Sequence, residues 1–329
     1  MPARFEVLIA DFLDEATVET PILGDVAEIK LARGWSEAEL VDHVATADAM
    51  ILYHDIPRVG ATTFDLAPKM RGLVRAGVGY NNVDLDAAGD RGIVVCNVPD
   101  YGTEEVADHS IALLLSVVRQ IRQGDAAIRG RTWDFRTVIE TPRLRGKTIG
   151  IVGCGRIGTA TALRAKAFGL DVVFYDPLVA PGYDKAIGVR RVDTLEALLE
   201  QSLFVSVHCY LDATTRNLID ARAIARMPKR SILVNTARGG VVSGEAVADA
   251  LDSGHLLGAG LDVFEREPLD NERLRNHPNV VLSPHSAFYS REAFIELRRK
   301  TAEEVRRVLL GEPLRCPVNA DRLIRSRRV

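Results

Sequence analysis

The stretch Lys147–Asp176, KTIGIVGCGRIGTATALRAKAFGLDVVFYD, decides how the rest of the chain is read. Thr148 to Val152 is a short apolar, β-branched run, the composition of a strand buried on both faces. Gly153-Cys154-Gly155-Arg156-Ile157-Gly158 turns that strand into a helix beginning near Arg156, and a second apolar run closes on Asp176. Each glycine has its own steric reason. Gly153 permits the tight turn, Gly155 lets the backbone approach a pyrophosphate, and Gly158 lets helix and strand pack closely. The phosphates then face the helix N-terminus, with Arg156 and Ile157 in its first turn. Asp176, about 20 residues further on, stands where a carboxylate accepts hydrogen bonds from an adenine ribose diol and repels a 2′-phosphate. A GxGxxG string alone is a weak signal, but strand, helix and acid in register make this a dinucleotide site, with NAD expected over NADP.

A chain of 329 residues with 47% apolar content can build two ordinary domains, each with a core. The net charge of −3 carries no nucleic-acid footprint, and the arginines of the tail Asp321 to Val329 read as a solvated terminus. Cys96, Cys154, Cys209 and Cys316 are far apart, with no CxxC pair and no histidine at metal-ligand spacing, so neither a disulfide framework nor a metal site is expected. They read as small buried apolar residues. No charged N-terminal region precedes a long apolar run, and no segment reaches about 18 uninterrupted apolar residues, so no signal peptide or membrane span is expected. The default is a soluble cytoplasmic protein.

Upstream of the glycine turn, short apolar runs alternate with amphipathic stretches. Strands are expected at Phe5 to Ala10, Ala27 to Leu31, Ala49 to Tyr53, Gly72 to Ala76 and Ile93 to Asn97, and helices at Ser36 to Thr46, Thr62 to Ala67 and Asp84 to Arg91. This alternation predicts a parallel sheet covered by helices. The loop Arg75-Ala76-Gly77-Val78-Gly79-Tyr80 follows the fourth strand, at the edge where open α/β sheets bind ligands. Its glycines bring backbone N–H groups to an anion and Arg75 adds a charge-assisted contact, although an ordinary strand-to-helix turn capped by Asp84 reads as well. Glu104 to Arg119 is a strongly apolar helix with an acidic first turn, and its face is wider than one sheet requires. It is expected to be buried between domains or in an oligomer contact. Gly124 to Arg145, with Trp133 and Phe135, lacks periodicity and reads as an arm reaching a second subunit. Downstream, strands are expected at Leu203 to His208, Ser231 to Asn235, Leu257 to Val263 and Asn279 to Ser283, completing a second doubly wound domain. Helices fall between them at Thr194 to Glu200, Asp220 to Met227 and Ser243 to Ser253, and a long final helix spans Ser290 to Leu310.

Three strand-end turns of that second domain carry polar residues that folding does not need: Asn235-Thr-Ala-Arg238-Gly-Gly240, Asp262-Val-Phe-Glu265-Arg-Glu267-Pro268 and Ser283-Pro-His285-Ser-Ala287-Phe288. All three open onto the edge that carries the glycine turn. An arginine, a carboxylate and a histidine together suit hydride transfer to an anionic carbonyl compound. The arginine holds the carboxylate and polarises the adjacent oxygen, and the histidine supplies the proton. A carboxylate behind the other ring nitrogen fixes the tautomer and favours the imidazolium. Taken singly, each has a duller reading as a surface or loop residue, and spacing leaves Glu265 and Glu267 both open as that carboxylate.

With these strings in place, nearly the whole chain resembles the D-isomer-specific 2-hydroxyacid dehydrogenases, through RAGVGYNNVD, GCGRIG, NTARGG, DVFEREP and SPHSA. RAGVGYNNVD, CNVPDYGTEEVADH and PHSAFYSREAFIELR look most like the branch of the C-terminal binding proteins, NAD-binding corepressors, and their bacterial dehydrogenase relatives. The resemblance implies an α/β fold of two doubly wound parallel-sheet domains. These are a Rossmann NAD-binding domain at 104–295, bearing the dimerisation helix and arm, and a smaller flavodoxin-like substrate-binding lid domain at 1–103 plus 296–329. It implies Arg238 as the carboxylate and carbonyl ligand, Glu267 rather than Glu265 as the partner of the histidine, and His285 as acid/base. It places Thr103, Cys209, Thr215, Thr236 and Asp262 along the NAD, with Asp262 on the nicotinamide carboxamide. It places Arg75, Gly77, Val78, Gly79, Arg238 and Phe288 around the substrate. Phe288 stands where the corepressors have tryptophan, which leaves that side of the pocket aromatic but smaller.

The leading expectation is an NAD-dependent homodimeric oxidoreductase, moving a hydride reversibly between NADH and a small 2-oxo acid, with no nucleic-acid or membrane partner and no metal. Two rivals are an NAD-sensing, corepressor-like binding protein and an enzyme taking hydride from another small anion such as formate or phosphite. With the chain ending at Val329, the long, allosterically controlled phosphoglycerate dehydrogenases are not expected, while shorter ones remain.

Overall fold

The computed structural model describes residues 4–53, 56–138 and 141–326, with side chains described as far as 323 at the C-terminal end. Arg325, Arg327 and Arg328 of the expected solvated tail therefore lie outside the described side chains, as do residues 139–140 of the expected arm. The chain divides into two units, Met1–Gly102 with Ser290–Val329, and Thr103–Tyr289. The second division falls at Ser290 and not at 296, because the final helix, Arg291–Leu310, is continuous and stays in one unit.

In the first unit β1 (Phe5–Asp11), β2 (Ala27–Arg33), β3 (Ala49–Leu52), β4 (Gly72–Arg75) and β5 (Val94–Asn97) form one parallel sheet in the order β2-β1-β3-β4-β5. That is the flavodoxin-like order, and every expected strand is present. Asp84 caps the Leu85–Asp90 helix by accepting the Ala87 N–H at 3.0 Å. The helix expected at Ser36 to Thr46 shrinks to Glu37–Leu40. Beyond it the chain tightens, with His43 N–H donating to Leu40 O and Ala47 N–H to Val44 O, which keeps Val44 and Ala47 fully buried. Arg291–Leu310 packs on β3, β4 and β5, with Val308 seated over Gly72. Buried Glu304 on that helix accepts the N–H groups of Arg315 and Cys316, so the returning chain pairs Pro317 with Cys96.

In the second unit β6 (Thr148–Val152), β7 (Asp171–Tyr175), β8 (Arg190–Arg191), β9 (Phe204–Val207), β10 (Ser231–Asn235), β11 (Leu256–Leu261) and β12 (Val280–Leu282) form a parallel sheet in the order β12-β11-β10-β9-β6-β7-β8. The order reverses between β6 and β9, which makes this a Rossmann sheet with its ligand crevice at the end of β6. β8 was not expected, since two arginines carry no apolar signature. Thr194, Asp220 and Ser243 each cap a following helix by accepting the N–H three residues on.

The Thr103–Val118 helix spends its apolar width inside its own unit. Leu113 and Val117 pack onto Gly260 and Gly258 of β11, where any Cβ would meet them at 2.8 and 2.5 Å. Glycines on the strand let the helix come close, so more of its circumference is buried than one flat contact would cover. Where no periodicity was read, a helix forms at Ile121–Arg129 with a 3-10 turn at Phe135–Val138. Neither buries a residue: Ile121 and Ile128, seven apart and so on one helix face, are exposed, and Trp133 and Phe135 are 92% and 80% exposed. Cys96 and Cys154 are buried as expected, whereas Cys209 and Cys316 are only half-buried, and all four are free. No helix among the described residues is long and apolar enough to cross a membrane, and no group of His, Cys, Asp and Glu among them could hold a metal.

Candidate active site

The nucleotide end is built at the carboxyl end of β6. Gly153 sits at φ 89°, and a Cβ there would stand 2.6 Å from Cys209 N, while one on Gly158 would stand 2.0 Å from Gly153 O. Those two glycines are demanded by internal packing. Gly155 has nothing within 4 Å of its missing Cβ and caps the Arg156–Ala167 helix, so the backbone is open where a pyrophosphate must approach a helix N-terminus. Asp176 is held facing the turn, Oδ2 accepting Cys154 N–H and Oδ1 accepting Leu178 N–H, both at 2.8 Å. These residues fit NAD. Asp176→Ala is expected to lower kcat/KM for NADH about 10-fold or more, the size of lost charge-assisted hydrogen bonds, while raising that for NADPH. Steady-state rates with both cofactors check it, and an unchanged preference would remove Asp176 from ribose recognition.

The other residues expected along the cofactor divide. Cys209 lies with its backbone against Gly153, its thiol pushed up to about 12 by burial and hence protonated. Thr215 holds its own turn, its hydroxyl donating to Tyr210 O at 2.7 Å and accepting Asp212 N–H at 2.8 Å. Thr103 is half-buried at the start of its helix. Thr236 is buried, with its hydroxyl turned to the Thr103–Val118 helix. The Ser110 hydroxyl donates to Val106 O at 2.6 Å, so the Thr236 hydroxyl, 2.7 Å away, donates to Ser110.

Asp262, expected on the carboxamide, is 1% exposed, and its carboxylate accepts the Ser283 hydroxyl at 2.6 Å, Ser286 N–H at 2.9 Å and Ala287 N–H at 3.0 Å, which makes it the anchor of the turn after β12.

The polar turns after β10, β11 and β12 meet. Glu267 Oε2 accepts His285 Nδ1–H at 2.8 Å, and Glu267 Oε1 accepts Phe264 N–H at 3.0 Å, so the carboxylate is pinned from both sides. Because the carboxylate only accepts, the ring hydrogen sits on Nδ1 in either charge state, and the proton exchanged in a reaction is the one on Nε2. His285 has φ 53° and is fixed there by its N–H donating to Asp262 O at 2.8 Å. Glu265 is turned elsewhere, toward Gly244 N–H at 3.4 Å.

Half-buried Arg238 donates from Nη1 to Ala237 O at 2.6 Å. Its turn is set by Asn235, whose side chain donates to Arg238 O and accepts from Ala237 N–H, both at 3.0 Å. Gly239 then lies directly on the backbone of Phe264 and Glu265. His208 offers no alternative proton, since burial pushes it down to about 3 and keeps it neutral.

In the first unit, Arg75 ends β4. It is 7% exposed and folds over Gly77, donating from Nη1 to Ala76 O at 2.9 Å. Gly77, at φ 147°, leaves room for that guanidinium, and Val78 is exposed beside it. Asn235 and Ser283 stand in the polar strand-end turns without an individual role being legible, and His109, between Asp108 and Ser110 in the polar first half of its helix, carries no signal of its own.

With this geometry established, the family follows. The chain belongs to the D-isomer-specific 2-hydroxyacid dehydrogenases, since the family model described as "D-isomer specific 2-hydroxyacid dehydrogenase, NAD binding domain" matches residues 111–287. It is 41% identical over 315 residues to the D-3-phosphoglycerate dehydrogenase of Mycobacterium leprae (strain TN), a match covering 96% of this chain and 59% of that protein. The chain thus spans about three fifths of the length of the curated relatives it matches. Both curated relatives are named D-3-phosphoglycerate dehydrogenase, a class whose long form the sequence reading does not expect. Among solved structures, the TT0316 protein from Thermus thermophilus is similar with a TM-score of 0.87 at 34% identity, covering 95% of this chain and 100% of that one. A glyoxylate reductase from Paecilomyes thermophila is similar with a TM-score of 0.88 at 28% identity, covering 98% and 100%.

Proposed function

We propose that the chain is an NAD-dependent dehydrogenase interconverting a small 2-oxo acid and its D-2-hydroxy acid, with His285 as acid/base. The observation that carries this reading is the Glu267–His285 pair at 2.8 Å, on the sheet edge that also bears the glycine turn. Bound NADH would supply the hydride that adds to the carbonyl carbon. Arg238 holds the substrate carboxylate and polarises the carbonyl oxygen. His285 gives its Nε2 proton to that oxygen in reduction and takes it back in oxidation, while Glu267 balances the imidazolium. Phe288, on the turn that carries His285, bounds the substrate. The exposed Trp133 and Phe135 support a homodimer through the arm, and four free thiols suit a reducing, cytoplasmic setting.

The test is loss of NADH absorbance with glyoxylate, hydroxypyruvate, pyruvate, phenylpyruvate, a methylthio-substituted oxobutanoate and the oxo counterpart of 3-phosphoglycerate. Turnover of at least one compound at about 1 per second or faster is expected, reduced about 100-fold or more in Arg238→Ala. Tight NADH binding with negligible turnover on every compound would overturn the reading in favour of an NAD-sensing binding protein. NADH formation from formate or phosphite alone would move the hydride donor to those anions.

A further inference from the structure

We infer that His109, on the Thr103–Val118 helix, is a positioning residue for the His285 turn, acting through Ser283 on the carboxylate of Asp262. The inference rests on the reading of His285 as the acid/base. Ser283 Oγ lies 2.6 Å from Asp262 Oδ1 and 2.8 Å from His109 Nε2. A hydroxyl has one hydrogen, and a buried carboxylate can only accept, so that hydrogen goes to Asp262. Ser283 therefore accepts from His109, and His109 carries its hydrogen on Nε2. The direction of the chain is fixed: His109 to Ser283 to Asp262.

Asp262 holds every part of the turn that carries His285. Its carboxylate takes the Ser283 hydroxyl and the N–H groups of Ser286 and Ala287, and its carbonyl takes the His285 N–H. His285 stands at φ 53°, a conformation that a non-glycine residue keeps only when its surroundings over-determine it. His109 Nε2 is also 3.7 Å from Asp262 Oδ1, the oxygen that accepts the Ser283 hydroxyl and Ser286 N–H, so it steadies the anchor at that oxygen. The post on which His109 stands is rigid, because one turn further along the same helix Leu113 is packed against Gly260 of β11, the strand that leads into Asp262. Without the His109 donor, Ser283 loses its fixed rotamer and Asp262 loses one of its restraints. The imidazole that must meet the reacting oxygen then wanders, and misplacement by about 1 Å costs rate steeply.

His109→Leu removes the donor, and His109→Gln returns an N–H within reach of Ser283. Each is assayed with the preferred 2-oxo acid for kcat and KM. The isotope effect from NADH deuterated at the transferred position, NADH affinity by fluorescence and thermal unfolding are measured on the same preparations. In His109→Leu, kcat is expected to fall about 10-fold or more with a larger isotope effect and NADH affinity held within about two-fold, and in His109→Gln kcat recovers to within about three-fold of the parent. Ser283→Ala should repeat the kcat loss and serves if His109→Leu fails to fold. Parental kcat in His109→Leu, or equal losses of kcat and thermal stability in both His109 variants, would overturn the inference. His285→Gln separates the two readings. If it retains turnover, the acid/base assignment fails, and if it is inactive while His109→Leu is unimpaired, the positioning inference alone fails.

Discussion

Replacing His285 with glutamine is expected to lower turnover by about 10² to 10⁴-fold, the range supplied by a positioned acid/base, while NADH still binds. The argument begins at Glu267. Its carboxylate is held by Phe264 N–H on one oxygen and meets His285 Nδ1 on the other, so the imidazole has one orientation and one hydrogen assignment. The nitrogen that exchanges a proton is then Nε2. A glutamine amide reaches Glu267 but cannot become a cation, so it loses the proton that reduction must deliver. The NADH site is untouched, since the glycine turn and Asp176 belong to β6 and β7 while His285 follows β12. Single-turnover rates beside NADH fluorescence titration decide the matter. Turnover within a few-fold of the parent would mean that another group gives the proton.

The sequence discloses these parts unevenly, for physical reasons. The glycine turn is legible because its requirements are local: a strand must end, a helix must begin, and three positions must lack side chains. Arg238, Glu267 and His285 are legible as polar residues at strand ends that folding does not need. The roles of Asp262 and Thr236 are not, because each depends on partners far along the chain, Ser283 to Ala287 for one and Ser110 for the other. The conformation of Arg75 is hidden in the same way, since only the fold shows that Gly77 beside it makes room for the guanidinium to fold back onto its own backbone. Even the choice between Glu265 and Glu267 needs the fold, since two carboxylates on one loop differ only in which way the backbone aims them.

Gly239→Ala carries the same point into stability and activity together. The glycine owes nothing to a left-handed conformation; what it supplies is space. A Cβ there would lie 1.8 Å from Phe264 C, 1.9 Å from Phe264 O and 2.4 Å from Glu265 N, all backbone atoms with no rotamer to give. The loop after β11 must move away from the turn after β10, and Phe264 N–H, which pins Glu267, moves with it. Overpacking of this kind costs about 1–3 kcal/mol, which for a unit of this size lowers the unfolding midpoint by roughly 2 to 12 °C. The catalytic loss should be the larger effect, about 10-fold or more in kcat, because a displaced Glu267 no longer orients His285. NADH affinity should hold, since Gly239 is remote in sequence from the β6 turn and touches none of its atoms. Gly124→Ala is the control, as its Cβ would meet only Val138 at an ordinary 3.7 Å; kcat should stay parental and the midpoint should hold or rise by a few degrees, since alanine is favoured over glycine inside a helix by about 1 kcal/mol. If Gly239→Ala kept the parental midpoint and rate, the two turns would not be locked together, and the orientation of the Glu267–His285 pair would have to come from the Asp262 anchor alone.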